Sequence, residues 1–197
     1  MDQQSERSRS ISNGMIIGIT GTIGAGKGEV VRYLVDSKNF AHFSVRDLLT
    51  EEIKKRRFPM TRDSMRLVAN EIRKTRNPSY IIESLYGRAA ASGKDAVVES
   101  VRALAEADFL KSKGATLLAV DADRRLRYDR IVSRGSSTDK VDFDTWVAQE
   151  ERELAATDPW DMNVLGVMGK ADHRMYNNGT LEELHGRIDE MLATLTK

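Results

Sequence analysis

Two hydrophobic rhythms alternate along the chain. Met15-Ile16-Ile17-Gly18-Ile19-Thr20, Asp95-Ala96-Val97-Val98-Glu99 and Ala115-Thr116-Leu117-Leu118-Ala119-Val120 are short apolar runs without a clean period of two, as in strands buried on both faces of a parallel sheet. Residues 40–44 and 173–177 read as two further, weaker strands. Between these runs apolar residues recur at helical spacing, which predicts helices over 29–35, 45–57, 62–76, 79–91, 103–113, 123–134, 142–156 and 181–195. Asn178-Gly179-Thr180 supplies the turn and cap of the last one. Strands alternating with helices imply a parallel five-stranded sheet in a three-layer α/β domain over 15–197. The polar stretch Gly135-Ser136-Ser137-Thr138-Asp139-Lys140 predicts a loop within a small helical lid at about 130–156.

Where the first strand ends, Gly21-Thr22-Ile23-Gly24-Ala25-Gly26-Lys27 fits GxxxxGK, with a strand before it and a helix after it, as the chemistry requires. Glycines let consecutive backbone N–H groups turn inward around phosphates, the helix start adds the positive end of its dipole, and Lys27 reaches the β and γ oxygens. A P-loop binding ATP over Gly21 to Gly28 and Glu29 is therefore expected. Position 28 departs from the usual pattern: Gly28 stands where a Ser or Thr hydroxyl commonly reaches Mg²⁺, so the metal's protein ligand must come from elsewhere.

Composition narrows the class. Forty per cent apolar and 31% charged residues suit an ordinary globular core, and 197 residues suit one domain with a mobile insert. With 31 basic against 30 acidic side chains, the net charge of +1 argues against nucleic-acid and membrane partners, so an anion must be held locally. Zero Cys excludes disulfides, thiolate metal sites and Cys nucleophiles, and fits a cytoplasmic location. Residues 1–14 are polar and read as a disordered tail; no apolar run approaches the length of a membrane span.

Over almost the whole stretch from Met15 to Leu195, the sequence resembles the nucleoside monophosphate kinase and dephospho-CoA kinase branch of P-loop proteins, which implies a P-loop kinase fold. Gly24-Ala25-Gly26-Lys27-Gly28 is similar to the adenylate kinase loop, with Glu29 where that family has Thr. His42-Phe43-Ser44-Val45-Arg46-Asp47-Leu48-Leu49 resembles the segment opening the acceptor-side helix. The family usually has Gly at position 46 and an acceptor-binding Arg at position 50, where this chain has Arg46 and Thr50. The resemblance therefore assigns acceptor binding to the helices of about 45–91, with Arg46 replacing the lost cation. Val97-Val98-Glu99-Ser100-Val101-Arg102 is similar to the strand in which an acid precedes a phosphate-gripping Arg.

Tyr128 to Arg134 resembles the helix into the lid, where Arg130 and Arg134, four apart on one face, clamp the transferring phosphoryl group. The stretch from Ala171 to Leu184 looks most like the end of dephospho-CoA kinases, where the loop at Asn178 and Gly179 touches adenine.

Each assignment has a structural counterpart. Glu99, at the carboxyl end of a central strand, lies where open α/β sheets bind ligands and could act at the phosphates or hold Mg²⁺ through water; it could equally cap a strand end. Asp47 is a candidate base, or simply an acid favourable in a helix's first turn. Arg130 and Arg134 could belong to an exposed basic face with Arg124, Arg125 and Arg127. Arg152 is a weaker candidate of the same kind. His42, His173 and His185 show no pairing with a nucleophile and read as structural; Trp146 and Trp160 read as packing or lid residues.

The expected activity is ATP- and Mg²⁺-dependent phosphoryl transfer to a small nucleotide acceptor. A monophosphate, already ionised, needs no base, whereas the hydroxyl of dephospho-CoA needs a carboxylate such as Asp47 or Glu99. A nucleoside or deoxynucleoside monophosphate is the leading acceptor and dephospho-CoA the alternative. A kinase-like ATPase that switches a protein or RNA partner is the alternative from another class. The sequence leaves the oligomeric state open.

Overall fold

The computed structural model describes residues 14–135 and 142–196. Most of the polar leader and of the loop expected at the lid lie outside these residues. In chain order the elements are β1 (Ile16–Gly21), α1 (Lys27–Lys38), β2 (Ala41–Ser44), α2 (Val45–Arg56), α3 (Arg62–Thr75), α4 (Tyr80–Ser92) and β3 (Ala96–Glu99). They continue with α5 (Leu104–Ser112), β4 (Thr116–Asp121), α6 (Arg124–Arg134), α7 (Phe143–Leu154), α8 (Val164–Gly169), β5 (His173–Tyr176) and α9 (Leu181–Leu195).

All four strand pairings are parallel, in the order β2-β3-β1-β4-β5. β1 is buried along its whole length between β3 and β4, which explains why its sequence shows no alternation. Its side chains divide the core. Ile16 joins a cluster with Leu49 of α2, Val68 of α3, Leu85 of α4 and Leu110 of α5. Ile17 and Ile19 face α1 and α9 through Val30, Leu34, Leu184 and Ile188. The five-stranded sheet with helices on both faces is as the sequence implies; burying both faces requires two helical layers.

One helix, α8, was not expected. Its six residues are too few for a helical period to stand out in sequence, and Asn163 starts it by accepting a hydrogen bond from the Gly166 N–H at 2.8 Å. Because β1 sits between β3 and β4, the chain reverses its order of travel there. Ligand crevices of open α/β sheets form at such a point, beyond the carboxyl ends of the strands.

Candidate functional site

The loop leaving β1 is shaped by glycines that nothing else could replace. Gly24 and Gly26 have φ of 80° and 95°, in the left-handed region that L side chains rarely adopt. A Cβ on Gly24 would lie 2.5 Å from the Arg127 carbonyl oxygen, and one on Gly26 would lie 2.2 Å from the Asn177 amide nitrogen. Gly26 is the N-cap of α1 and provides no side-chain acceptor, so the first N–H groups of that helix remain available to an anion. Gly28 has open space around its α-carbon.

Lys27 folds back over the loop, donating to the carbonyl oxygens of Gly21 at 2.8 Å and Thr22 at 2.6 Å. Burial, and next the neighbouring Arg102 charge, lower its pKa to about 7 despite Glu153 and Glu99 nearby. A second layer fixes the loop from outside. The Thr22 hydroxyl donates to Asp121 at 2.5 Å, Asn177 donates to the Ala25 carbonyl at 3.0 Å, and Arg127 donates to the Ile23 carbonyl at 3.0 Å. Arg127 also donates to the Ala122 carbonyl at 2.8 Å and pairs with the buried Glu150 of α7. Trp146 of α7, buried against Ile23 and Ile131, completes this support, in keeping with a packing role.

A cavity of about 1050 Å³ opens from this loop. Its walls carry nine basic side chains (Lys27, Arg32, Arg46, Arg62, Arg66, Arg73, Arg102, Arg130 and Arg134) against four carboxylates (Glu29, Glu99, Asp129 and Glu153), an excess of five positive charges when Lys27 is protonated. Val45, Leu49, Met65, Ala69 and Met162 give the end beneath α2 and α3 an apolar lining. Lys27, Glu29, Glu99, Arg46, Arg102, Arg130, Arg134 and Gly179 thus all meet in one cavity, together with Ile23, Gly24, Gly26 and Gly28 of the loop.

Asp47 is not among the lining residues. It is exposed in the first turn of α2, where its N–H donates to the Ser44 hydroxyl at 3.2 Å. Asn178 is also displaced from its expected position: its side chain accepts from the Asp123 N–H at 2.9 Å, while its neighbour Asn177 lines the cavity. Arg152 is exposed and faces Asp63 at 3.8 Å.

The parallel register sets Glu99 opposite Ser44, whose hydroxyl donates to it at 3.0 Å. His42 reaches the same carboxylate at 3.6 Å, so this histidine, read from sequence as structural, pairs with a cavity acid. Burial tends to raise the Glu99 pKa, but the pairing with His42, the Ser44 bond and the Lys27 charge outweigh it and hold the carboxyl below its usual value. His42 is pushed up in turn, chiefly by its pairing with Glu99. Ser100, between Glu99 and Arg102, has φ of 71°, a left-handed conformation uncommon outside glycine.

Arg102 is held from three sides. Its N–H donates to Glu106 at 2.9 Å, its carbonyl accepts from the Asn163 N–H at 2.8 Å, and its guanidinium pairs with Glu153. Glu106 is itself buried in an ion pair with Arg73 at 2.8 Å. Arg62 pairs with Glu153 at 2.8 Å and Arg66 with Asp161 at 3.4 Å. The sequence reading missed Arg62, Arg66, Arg73, Glu153 and Asn177. For the α3 arginines a signal existed, since positions 62, 66 and 73 share one helix face.

Among the described residues no group of three or more His, Asp or Glu side chains forms a metal cluster, and no helix is long and apolar enough to cross a membrane. The parallel sheet and glycine cradle define a P-loop nucleotide-binding fold. Residues 17–156 match the family model described as AAA domain, and the chain belongs to that family. It is similar to the UPF0200 protein of Sulfurisphaera tokodaii, 28% identical over 190 residues, covering 91% of this chain and 97% of the relative. The UPF0200 protein of Pyrococcus horikoshii is 26% identical over 189 residues, covering 92% and 97%.

Among solved structures, the shikimate kinase of Acinetobacter baumannii in complex with shikimate superposes with a TM-score of 0.58 at 14% identity, covering 95% of this chain and 97% of that one. A gluconokinase of Sinorhizobium meliloti gives 0.57 at 16% identity, covering 93% and 94%. At such identities the likeness is one of fold.

Proposed function

We propose that this chain is an ATP-dependent phosphotransferase whose acceptor is a small phosphorylated nucleotide, a nucleoside or deoxynucleoside monophosphate. One observation carries the reading: a single cavity joins the phosphate loop to a second, arginine-rich and partly apolar end beneath α2 and α3. A nucleotide-binding ATPase needs only the first end. Two anionic substrates that must meet in line need both, because positioning and charge stabilisation supply most of the rate of phosphoryl transfer.

In this reading the loop from Gly21 to Glu29 and the 177–179 turn hold the donor. Lys27, Arg130 and Arg134 stabilise charge on the transferring group, and Arg46 and Arg102 bind the acceptor. Nη1 of Arg130 is buried without a hydrogen-bond partner among the described residues, and such a guanidinium group is best satisfied by a ligand oxygen. Mg²⁺ fits as an ion held chiefly by the nucleotide, with Glu99 reaching it through water, because Gly28 offers no hydroxyl; when bound it would neutralise phosphate charge. The depressed Glu99 carboxyl is a poor base for a sugar hydroxyl, and Asp47 is not among the residues lining the cavity. Both facts favour an acceptor that arrives ionised over dephospho-CoA.

The test is a bisubstrate ligand, two nucleosides joined by five phosphates, titrated against ATP and against nucleoside monophosphates. Binding at least tenfold tighter than ATP alone is expected, since one molecule would fill both ends. Binding no tighter than ATP would contradict a two-substrate cavity, and ATP turnover stimulated only by a macromolecule would favour a kinase-like switch ATPase.

A further inference from the structure

Glu153 is one of four carboxylates in a cavity whose walls are mostly cationic. It sits in the last turn of α7 and is 5% exposed. Its two oxygens are divided between two guanidiniums: Arg62 reaches Oε1 at 2.8 Å, and Arg102 pairs with Oε2. Both arginines line the cavity. The Arg102 and Arg62 charges, acting against burial, hold the Glu153 carboxyl down at about 2, so it is ionised at any working pH.

A carboxylate offers this pair of cations two oxygens and one charge. A phosphomonoester offers three oxygens and nearly two charges, and so satisfies the same guanidiniums more fully. α7 is anchored near its start by the buried Trp146 and in the middle by Glu150, which pairs with Arg127. Glu153 ties its last turn to α3 and to the segment after β3.

Resting on the phosphotransferase reading, we propose that Arg62 and Arg102 form the seat of the acceptor's phosphate and that Glu153 is its internal occupant, displaced by an incoming phosphomonoester. Binding of acceptor then exchanges one ion pair for another and frees the end of α7. The end of α7 thereby registers whether the acceptor end is filled, and the affinity for acceptor is reduced by competition with a tethered carboxylate.

The experiment uses the full chain saturated with Mg²⁺ and a non-hydrolysable ATP analogue, so that the phosphate loop is filled, and titrates inorganic phosphate by calorimetry. Glu153→Gln, isosteric and uncharged, is expected to bind phosphate at least tenfold tighter than the wild type, and adding Arg102→Ala is expected to reverse the gain. Equal or weaker binding in a Glu153→Gln protein that melts like the wild type overturns the proposal. So does the absence of phosphate binding by both proteins. Hydrogen exchange on the wild type needs no variant: amides of residues 151–154 must exchange faster when phosphate is bound, and unchanged exchange also overturns the proposal. Failure of the ATP analogue to bind would count against the phosphate-loop reading instead, and the phosphate titration would still be read on its own.

Discussion

Replacing Arg127 with Met should both destabilise the fold and loosen the phosphate loop. In the wild type the Arg127 guanidinium, 6% exposed, donates to the carbonyls of Ile23 and Ala122 and pairs with Glu150, whose side chain is 1% exposed. The variant strands a buried carboxylate. Breaking such a pair from one side costs about 3–5 kcal/mol. Arg124, half exposed with its Nε 3.3 Å from the same carboxylate, remains and moves the expectation to the low end, about 3 kcal/mol. For a chain of this size, each kcal/mol lowers Tm by about 2–4 °C, so a fall of about 6–12 °C is expected.

Thermal and urea melts measure this loss, and the double variant Arg127→Met with Glu150→Gln isolates its cause by removing the stranded charge. The double variant should recover about 1–2 kcal/mol, within the range for leaving a buried charge unpaired, yet it should not recover ATP affinity, since the Ile23 carbonyl still lacks its donor. A single-variant loss below about 1 kcal/mol, outside the range for a broken buried pair, would refute the reasoning. So would a double variant no more stable than the single one.

Three further outcomes follow from the same geometry. Gly24→Ala should cost about 1–3 kcal/mol of strain and abolish ATP binding, because its Cβ meets the Arg127 carbonyl at 2.5 Å and its φ is 80°. Gly28→Ser, with open space around it, should melt like the wild type; equal binding by both variants in calorimetry would contradict the cradle. Lys27, held at about 7, is largely neutral at pH 8 without ligand, and a polyphosphate should restore its proton. Calorimetry in buffers of different ionisation enthalpy should therefore show uptake of close to one proton at pH 8 and little at pH 6, and Lys27→Ala should lose the uptake. The sign for stability is opposite to that of a paired lysine. The unfolded chain binds more protons between about 7 and 10.5, so this residue's contribution favours the fold increasingly as pH rises through that window. Arg130→Ala should lower kcat more than it raises KM for ATP; a change confined to KM would assign Arg130 to ground-state binding.

The parts legible in sequence were those written locally. Strand β1, the glycine loop and the helix after it span 23 residues, Ile16 to Lys38, and the motif states its own chemistry. The Glu99 to Arg102 segment was legible because strand, acid and cation lie close together in sequence. What could not be read was pairing across the chain. Arg127 looked like one of several exposed arginines because Glu150, its partner, comes 23 residues later on another helix. Glu153 carries no signal of its own because Arg62 and Arg102 stand 91 and 51 residues before it. Asn177 and Asn178 cannot be told apart in sequence without the backbone direction at the end of β5. His42 reads as structural because the register that brings it to Glu99 is a property of the sheet.

Phosphoryl transfer to a small acceptor is tested by following label from [γ-³²P]ATP with Mg²⁺ into a panel of nucleoside and deoxynucleoside monophosphates and dephospho-CoA, with Lys27→Ala as the comparison. A nucleoside diphosphate should become labelled with kcat/KM at least tenfold above that for dephospho-CoA, and the variant should melt normally while losing most of the transfer. Better transfer to dephospho-CoA, release of inorganic phosphate alone, or unchanged turnover by Lys27→Ala would contradict the account.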